Sequence, residues 1–296
     1  MTEKRWTIKE LLGLTTDYLK TKAIDSPRLC TEVLLSHQLK KSRVDLYLDY
    51  DQPLGEEEIA GFRSLVRRRV KGEPLQYITG HREFWSLDLL VNPAVMIPRP
   101  ETELLVEEAL RLRQDGLLTD NLTPMILDLG TGSGAIAIAL AKEIEGASLW
   151  ASDISPEALQ LAQANARRHG LGDRITFCAG DLFEPFKGGS AAFDIIVSNP
   201  PYIATEEFNT LAPEIRCHEP RVALDGREGG MHCIQRLIGM SGPCLRKGGW
   251  LLVEMDPRQT ERALNLIDSA ECFGYKERIV DYRDSYRMVK AQKKYG

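Results

Sequence analysis

The first eighty residues carry apolar side chains at spacings of three and four, which is typical of helices packed around one core. The positions that define a first and a later helix are Ile8, Leu11, Leu12, Leu19, Ile59, Phe62, Leu65, Val66 and Val70. Between these helices, Ser26 and Pro27 form a favourable N-cap and first-turn pair that opens another helix. The pattern predicts a small N-terminal helical bundle domain over residues 1–80. Its basic run, Arg67-Arg68-Arg69, is either a solvated helix face or a contact for an anionic partner.

The hydrophobic period changes to two after Phe84. The alternating residues, which predict one face of a hairpin strand, are Trp85, Leu87, Leu89 and Val91. A segment interrupted by prolines follows them as far as Pro100. We therefore predict a β-hairpin linker between two domains over residues 81–100.

After Pro100, short apolar runs alternate with segments of helix length. The strand-like runs cover residues 125–127, 148–150, 175–177, 195–197 and 250–253, and the predicted helices cover residues 133–145, 156–169, 230–246 and 258–270. Alternation of strand and helix is the signature of a mostly parallel sheet with helices on both faces. We predict an α/β domain over residues 101–296.

Composition and charge narrow the class of protein. The chain is 43% hydrophobic and 27% charged, with a formal charge of −5, so it lacks the basic surface expected of a protein that binds long nucleic acid. It has no run of 18 apolar residues, and residues 1–9 carry charges with no apolar run behind them, so we expect neither a membrane span nor a signal peptide. The expected compartment is the cytoplasm. The six cysteines are dispersed, and we expect buried thiols and no metal site.

A glycine-rich turn joins the first predicted strand of the sheet to a helix, and its sequence is Asp128-Leu129-Gly130-Thr131-Gly132-Ser133-Gly134. Glycines allow a tight turn and a close ligand, and the helix N-terminus behind them offers unpaired N–H groups. The G-x-G-x-G spacing differs from the G-x-G-x-x-G of dinucleotide enzymes. Because Asp128 would repel a phosphate and attract an amino or sulfonium group, the turn favours a cationic ligand. A purely structural turn is the alternative.

Two further acids follow the next two predicted strands. Asp153 ends the second strand about 20 residues beyond the glycines, where an acid in an open parallel sheet accepts hydrogen bonds from ribose hydroxyls. Asp181 follows the third strand, where it could accept from an adenine amino group while Leu182 flanks the ring. Either acid could instead be only a helix cap. Together with the turn, the acids predict a site for an adenosine-bearing ligand with a cationic end, and S-adenosylmethionine fits.

The predicted strand over residues 194–198 runs into Asn199-Pro200-Pro201-Tyr202. The prolines stop the strand and stiffen the turn, so the Asn199 side chain and the Pro200 carbonyl are held at the carboxyl end of the sheet. These two oxygens can accept both N–H groups of an amide or amino nitrogen, and they stabilise positive charge that develops on it during methyl transfer. Tyr202 could stack on a planar substrate group. A structural turn without chemistry is the alternative.

These motifs resemble those of a known family. Asp128–Gly134, Asp153 and Asn199–Tyr202 together resemble the class I S-adenosylmethionine-dependent amino-methyltransferases. More narrowly, the chain is similar over essentially its whole length to the release factor glutamine methyltransferases of the PrmC or HemK family, through Gln76-Tyr77-Ile78-Thr79-Gly80, Phe84 and Ile97-Pro98-Arg99-Pro100-Glu101-Thr102-Glu103. The resemblance implies a Rossmann-like, seven-stranded class I methyltransferase domain after the helical domain and hairpin linker. It also implies methylation of the side-chain nitrogen (N5) of glutamine in the Gly-Gly-Gln motif of bacterial class I release factors, with S-adenosyl-L-methionine as donor and S-adenosyl-L-homocysteine as product.

The resemblance also implies roles for particular residues. The cofactor is implied to contact Asp128, Gly130, Thr131, Gly132, Ser133 and Gly134 at its methionine end, Asp153 at the ribose, Asp181 and Leu182 at the adenine, and Asn199. The substrate glutamine is implied to contact Asn199, Pro200, Pro201 and Tyr202, the first two with a catalytic role. The position of Leu182 can be aromatic in the family, whereas it is aliphatic here. Arg99 and Glu101 either shape the wall of the active site or form a structural ion pair.

Other functions use part of the same pattern. A DNA or RNA amino-methyltransferase needs the same acceptors for a base nitrogen, but the acidic balance and the lack of a recognisable RNA-binding module count against it. The intact Asn199–Tyr202 motif disfavours a non-catalytic adaptor, and the glycine spacing disfavours a dehydrogenase. We therefore predict a protein-glutamine N-methyltransferase in translation termination, whose domain 1–80 recognises the release factor, with no membrane or long nucleic acid partner.

Overall fold

A computed structural model describes residues 6–117, 123–187 and 193–295, which group into two units. The first unit contains the residues up to Gly80 together with Pro213–His218, and the second contains His81–Ala212 and Glu219–Gly296. In chain order the helices are α1 (Ile8–Thr21), α2 (Pro27–Leu39), α3 (Arg43–Leu48), α4 (Glu56–Val70), α5 (Leu75–Thr79), α6 (Glu103–Gln114), α7 (Ala135–Glu143), α8 (Pro156–Arg168), α9 (Pro213–His218), α10 (His232–Cys244) and α11 (Thr260–Ser269). The strands are β1 (His81–Phe84), β2 (Leu87–Leu90), β3 (Met125–Leu129), β4 (Ser148–Asp153), β5 (Ile175–Ala179), β6 (Phe193–Ser198), β7 (Leu245–Glu254), β8 (Phe273–Val280) and β9 (Tyr286–Lys293).

The helices of the first unit begin at local capping signals. A capping box between Thr7 and Glu10 satisfies the free N–H groups at the start of α1. Helix α2 begins at Pro27 as predicted, but Ser26 makes no side-chain capping hydrogen bond because its backbone is left-handed, with φ 48°. The fixed φ of Pro27, rather than a serine cap, therefore sets the start of α2. The predicted apolar positions surround one core, with Leu65 and Val70 half-buried beside it.

The basic run at the end of α4 is not a uniformly solvated face. Arg69 is only 5% exposed, and its guanidinium forms an ion pair with Glu214 of α9. Arg68 is paired with Glu73, and Arg67 alone of the three is exposed. The ion pair of Arg69 is one reason why α9 belongs to the first unit.

The predicted hairpin is present, but its turn falls within the run of residues predicted as one strand face. Trp85 and Ser86 connect β1 to β2 with φ values of 53° and 55°, the conformation that matches the twist of a two-residue hairpin. The placement of Trp85 on a strand face was therefore wrong. Phe84, Leu87 and Leu89 are buried in the core of the second unit.

The main sheet has the strand order β5-β4-β3-β6-β7-β9-β8 in the described residues. The first five strands in this order are parallel, and β9 and β8 are antiparallel additions at one edge. Alternate residues of the central strands enter two different cores, since Ile126 and Ile195 face one core and Leu127 and Ile196 face the other. The seven-stranded α/β architecture is thus confirmed, whereas α6, β8 and β9 were not among the predicted elements.

The cysteines only partly follow the expectation of buried thiols. Cys30 is buried, whereas Cys217 is exposed and the other four are intermediate. In the described residues, no group of three or more His, Cys, Asp or Glu side chains is arranged to hold a metal ion. Within the same part of the chain, no helix has the length and apolar character needed to cross a membrane.

Candidate active site

A cavity of about 460 Å³ lies in the second unit at the carboxyl ends of β3, β4, β5 and β6. The sheet continues from β3 to β4 on one side and to β6 on the other, so the strand order reverses beside β3. The cavity lies at this point, where ligands bind in open α/β sheets. The predicted site residues in its wall are Gly130, Thr131, Gly132, Ser133, Asp153, Asp181, Leu182, Asn199 and Pro201. Those that lie outside the wall are Asp128, Gly134, Pro200 and Tyr202.

Asp128 is fully buried beneath the glycine-rich turn. Its Oδ2 accepts hydrogen bonds from the Thr131 hydroxyl at 2.6 Å and from the Ala137 N–H at 3.2 Å. Its Oδ1 has no hydrogen-bond partner in the described part of the chain. Burial raises the pKa of Asp128 to about 7. An unpaired carboxylate oxygen below this wall fits a ligand with a cationic amino group better than one with a phosphate.

Gly134 has a packing role that the sequence did not indicate. Its φ is +83°, and a Cβ there would lie 2.9 Å from Ile138 Cδ1 and 3.2 Å from Ala162 Cβ. The glycine therefore allows the start of α7 to approach α8 closely, behind the cavity wall.

Asp153 is held at the rim of the cavity by the backbone on both sides. Its Oδ2 accepts from the Gly132 N–H at 2.8 Å, and its Oδ1 accepts from the Ser155 N–H at 2.9 Å. Burial raises the pKa of Asp153, while these backbone hydrogen bonds lower it. The N-cap of α8 is Ser155, whose hydroxyl accepts a hydrogen bond from the Ala158 N–H. Because each carboxylate oxygen has more than one lone pair, Asp153 can still accept from a pair of hydroxyl groups.

Asp181 and Leu182 form the next part of the wall. The Asp181 carboxylate is held by Arg236 through two hydrogen bonds of 3.1 and 2.7 Å, a partner that the sequence analysis missed. Leu182 adopts a left-handed backbone with φ 52°, which is strained for a residue with a Cβ and is frequent at functional sites.

The Asn199 side chain is oriented from one side. Its Nδ2 donates a hydrogen bond of 2.9 Å to the hydroxyl of Thr102, which is also in the cavity wall. The amide oxygen is therefore the end of Asn199 that remains to accept from a ligand. Tyr202 instead directs its hydroxyl to Glu254 Oε1 at 3.3 Å.

The Asn-Pro-Pro-Tyr turn is supported from behind by residues that the sequence analysis did not identify. Gln259 Nε2 donates to the Tyr202 carbonyl at 2.8 Å. A Cβ on Gly230 would overlap this carbonyl oxygen, and a Cβ on Gly226 would lie 2.8 Å from the Pro201 carbonyl oxygen. The three glycines within residues 226–230 were the available signal, because such positions tolerate close backbone contact.

Arg99 and Glu101 each form an ion pair outside the cavity wall. Arg99 lies 2.5 Å from the buried carboxylate of Glu219, and Glu101 lies 3.7 Å from Arg283. The sequence alone left open whether Arg99 and Glu101 shape the wall or form a structural ion pair. The structure shows each of them in an ion pair, and the residues of this segment that line the cavity are Pro98 and Thr102.

Known proteins resemble this chain in both units. The family model of the PrmC N-terminal domain matches residues 10–80, and that of the methyltransferase small domain matches residues 106–222. A release factor glutamine methyltransferase of Geobacter sulfurreducens is 46% identical over 278 residues, covering 92% of this chain and 94% of that protein. One of Rhodopirellula baltica is 41% identical over 290 residues, covering 97% of each.

A solved structure shares the fold at low identity. The hMettl16 catalytic domain in complex with MAT2A 3'UTR hairpin 6 matches with a TM-score of 0.52 and 15% identity, covering 81% of this chain and 82% of that chain. This likeness concerns the fold alone.

Proposed function

The chain belongs to the release factor glutamine methyltransferase family, and on this premise we propose that it methylates the side-chain amide nitrogen of glutamine in the Gly-Gly-Gln motif of bacterial peptide release factors. The observation that carries the proposal is the position of Asn199. Its amide oxygen is left free by the hydrogen bond from Nδ2 to Thr102, in the wall of a cavity that also contains Asp153 and the glycine-rich turn.

The cavity residues fit S-adenosyl-L-methionine. Asp153 would accept from the ribose hydroxyls, Asp181 and Leu182 would border the adenine, and the turn over Gly130–Ser133 would contact the methionine end, with Asp128 beneath it. When bound, this cofactor supplies the electrophilic methyl group. S-adenosyl-L-homocysteine is then the product.

The chain itself orients the substrate amide and stabilises its charge. The nitrogen lone pair of an amide is delocalised, so the two N–H groups must be held while that lone pair is directed at the methyl group. Asn199 Oδ1 would accept one N–H, and the carbonyl of Pro200, which lies between the wall residues Asn199 and Pro201 but is not itself in the wall, would accept the other. Both oxygens also stabilise the positive charge that develops on nitrogen, which is where fixed dipoles lower the barrier most.

The charges of the cavity wall favour a protein substrate over a nucleic acid. Of its three arginines, Arg221 is paired with Asp225 at 2.9 Å and Arg236 with Asp181 at 2.7 Å, and Arg227 is the one without an ion pair among the described residues. Paired guanidinium groups are poor sites for backbone phosphates, which nucleic-acid enzymes neutralise with free Lys or Arg. The alternative of a DNA or RNA amino-methyltransferase gains no support from the named relatives.

Mass spectrometry tests the proposed function directly. We expect incubation with S-adenosyl-L-methionine to add one methyl group to the Gly-Gly-Gln peptide of a bacterial release factor, and none to RNA or DNA. A release factor whose motif glutamine is replaced by alanine is the control for the site of modification. Labelling of RNA or DNA with no labelling of release factor would contradict the proposal.

Loss of the Asp153 carboxylate should weaken cofactor binding. We expect Asp153→Ala to reduce the affinity for S-adenosyl-L-methionine by about 1.5 to 3 kcal/mol, because two charge-assisted hydrogen bonds to the ribose are lost. Calorimetric titration measures the change. The affinity of Asp153→Asn, which keeps one acceptor, should lie between that of the wild type and that of Asp153→Ala. A folded Asp153→Ala variant with unchanged affinity would place the ribose contact on other residues.

The helical unit is proposed to recognise the folded release factor. A single glutamine offers few contacts, so the binding energy that orients it must come from remote surfaces of the protein substrate. Helix α3 exposes two apolar side chains one turn apart, Val44 at 67% and Leu48 at 76%. Exposed apolar side chains that adjoin one another mark interaction surfaces.

We expect Leu48→Asp to raise KM for whole release factor roughly tenfold, which is the effect of losing one well-buried interface contact. Because the short Gly-Gly-Gln peptide lacks the remote surfaces of the folded release factor, its methylation should be unchanged. Steady-state kinetics with both substrates measure the difference, and Val44→Asp should behave in the same way. Equal KM values for all three chains on whole release factor would exclude α3 from recognition.

A further inference from the structure

The Asn199 side chain has two chemically different ends, and within the described residues a hydrogen bond holds one of them, Nδ2, in place. Nδ2 donates to the Thr102 hydroxyl at 2.9 Å, and Thr102 is 4% exposed. A threonine hydroxyl has one proton and two lone pairs. Since Thr102 accepts from Asn199, its own proton is available to a different acceptor.

The acceptor that faces Thr102 is Glu254 at the end of β7. Glu254 is 3% exposed, and hydrogen bonding from the Thr102 hydroxyl lowers the pKa of its carboxyl. Tyr202 donates to Oε1 at 3.3 Å, while Oε2 makes no hydrogen bond of ordinary geometry in the described part of the chain. Leaving a buried carboxylate oxygen without a donor is costly, and besides Tyr202 the Thr102 hydroxyl is the side-chain donor whose hydrogen bonding acts on this carboxyl.

In its ionised form, the Glu254 carboxylate gives this chain of hydrogen bonds one direction. A carboxylate can only accept, so Thr102 donates to Glu254 and presents a lone pair to Asn199. That lone pair binds Nδ2 and leaves Oδ1 for the substrate. A neutral carboxylic acid could donate to Thr102 instead, which would turn the Thr102 proton toward Asn199 and favour the reversed amide.

The charges around Glu254 act on its ionisation in both directions. Burial raises its pKa to about 7, and Glu101 also raises it. Thr102, Tyr202 and Arg287 favour the ionised form.

We propose that Thr102 and Glu254 are positioning residues, which fix the Asn199 amide so that Oδ1 rather than Nδ2 faces the substrate nitrogen. The inference rests on the proposed function for the identity of the substrate, but any amide or amino nitrogen with two N–H groups needs the same orientation. In the sequence, Thr102 was identified only as part of a family motif, with no role assigned to it, and Glu254 was not singled out.

Substitutions at Thr102 separate the hydroxyl from the shape of the side chain. We expect Thr102→Val, which keeps the shape and loses the hydroxyl, to lower kcat roughly tenfold with little change in KM for release factor. Thr102→Ser, which keeps the hydroxyl, should restore most of the rate. S-adenosyl-L-methionine affinity, measured by calorimetry, should change by less than about twofold in both variants.

A matched control removes a buried threonine hydroxyl elsewhere. Thr31 on α2 is fully buried, and its hydroxyl donates to the Pro27 carbonyl at 2.8 Å. Thr31→Val should lower thermal stability about as much as Thr102→Val does and leave kcat at the wild-type value.

A double-mutant cycle tests whether Thr102 and Glu254 act through Asn199. In an Asn199→Ala background, we expect Thr102→Val and Glu254→Gln each to slow transfer by less than about twofold, because no amide remains to be oriented. The inference would be overturned if either substitution slowed transfer by the same factor in the Asn199→Ala background as in the wild type. Wild-type turnover of Thr102→Val alone would also overturn it. The cycle is measured on whichever substrate the wild-type chain methylates, so labelling of RNA would contradict the proposed function and still decide this inference.

Discussion

Asn199→Ala is expected to slow methyl transfer roughly 10²- to 10³-fold, equivalent to about 2.7 to 4 kcal/mol of transition-state stabilisation. The Asn199 oxygen accepts an N–H whose polarity grows as positive charge develops on the attacking nitrogen. Its contribution is therefore larger in the transition state than in the bound ground state, and the loss should fall on turnover. Single-turnover kinetics at saturating cofactor and release factor measure the rate.

Two comparisons make the Asn199 result specific. Cofactor affinity should change far less than the rate, because Asn199 is assigned to the substrate side. Asn265→Ala, at an exposed position of α11, should have wild-type kinetics. An Asn199→Ala enzyme that transfers within about threefold of the wild-type rate would show that this amide is not an essential acceptor.

Gly230→Ala is expected to destabilise the chain by about 2 to 5 kcal/mol and to displace the Asn-Pro-Pro-Tyr turn. Gly230 has φ +68°, and a Cβ there would overlap the Tyr202 carbonyl oxygen and the Gln259 side-chain amide. The left-handed conformation contributes about 1 to 2 kcal/mol, and overpacking contributes about 1 to 3 kcal/mol. Urea unfolding gives the free energy, and the transfer rate of the folded fraction reports the displacement of the turn.

Gly239→Ala provides the matched control for this prediction. Gly239 lies inside α10, and a Cβ there would meet no atom within 4 Å. Alanine in a helix interior is favoured over glycine by roughly 0.5 to 1 kcal/mol, so this variant should be slightly more stable than the wild type. If Gly230→Ala unfolds at the same urea concentration as Gly239→Ala, the close packing behind Tyr202 does not support the turn.

The parts of the site that were predicted from the sequence are coded by short stretches of chain. The glycine-rich turn and Asp153 each follow directly from the end of an apolar strand, and parallel strands bring such ends to one edge of a sheet. The structure places both in the cavity wall. Asn199 follows β6 in the same way.

The supporting residues could not be found in this way, because they depend on strand order. Asn199 and Thr102 are 97 residues apart, and Tyr202 and Glu254 are 52 residues apart. Only the pairing of β6 with β7 brings Glu254 to the substrate turn, and a sequence does not state which strands are neighbours. The same limit applies to Arg236, which reaches Asp181 from α10.

The elements of the fold that the sequence did not predict were missed for different reasons. Strands β8 and β9 pair at the edge of the sheet, and the many charged residues of β8 obscure its alternation. Helix α6 carried a usable signal, since its buried residues Leu105, Ala109 and Leu112 recur at helical spacing. Helix α6 was missed because the Pro-Arg-Pro-Glu-Thr-Glu motif overlaps its start and was interpreted only as a motif.

Helix α9 affects the order in which this protein completes its folding during synthesis. The first eighty residues leave the ribosome early, but Arg69 then lacks Glu214, the carboxylate with which it forms a largely buried ion pair in the finished protein, and losing one partner of such a pair is destabilising. The first unit reaches its final set of contacts only after residues 213–218 have been translated, by which time β3 to β6 are also available. We therefore expect nascent chains arrested shortly after residue 80 to be more sensitive to protease than the same helices in the finished protein, in contrast to the usual N-terminal-first sequence of domain folding.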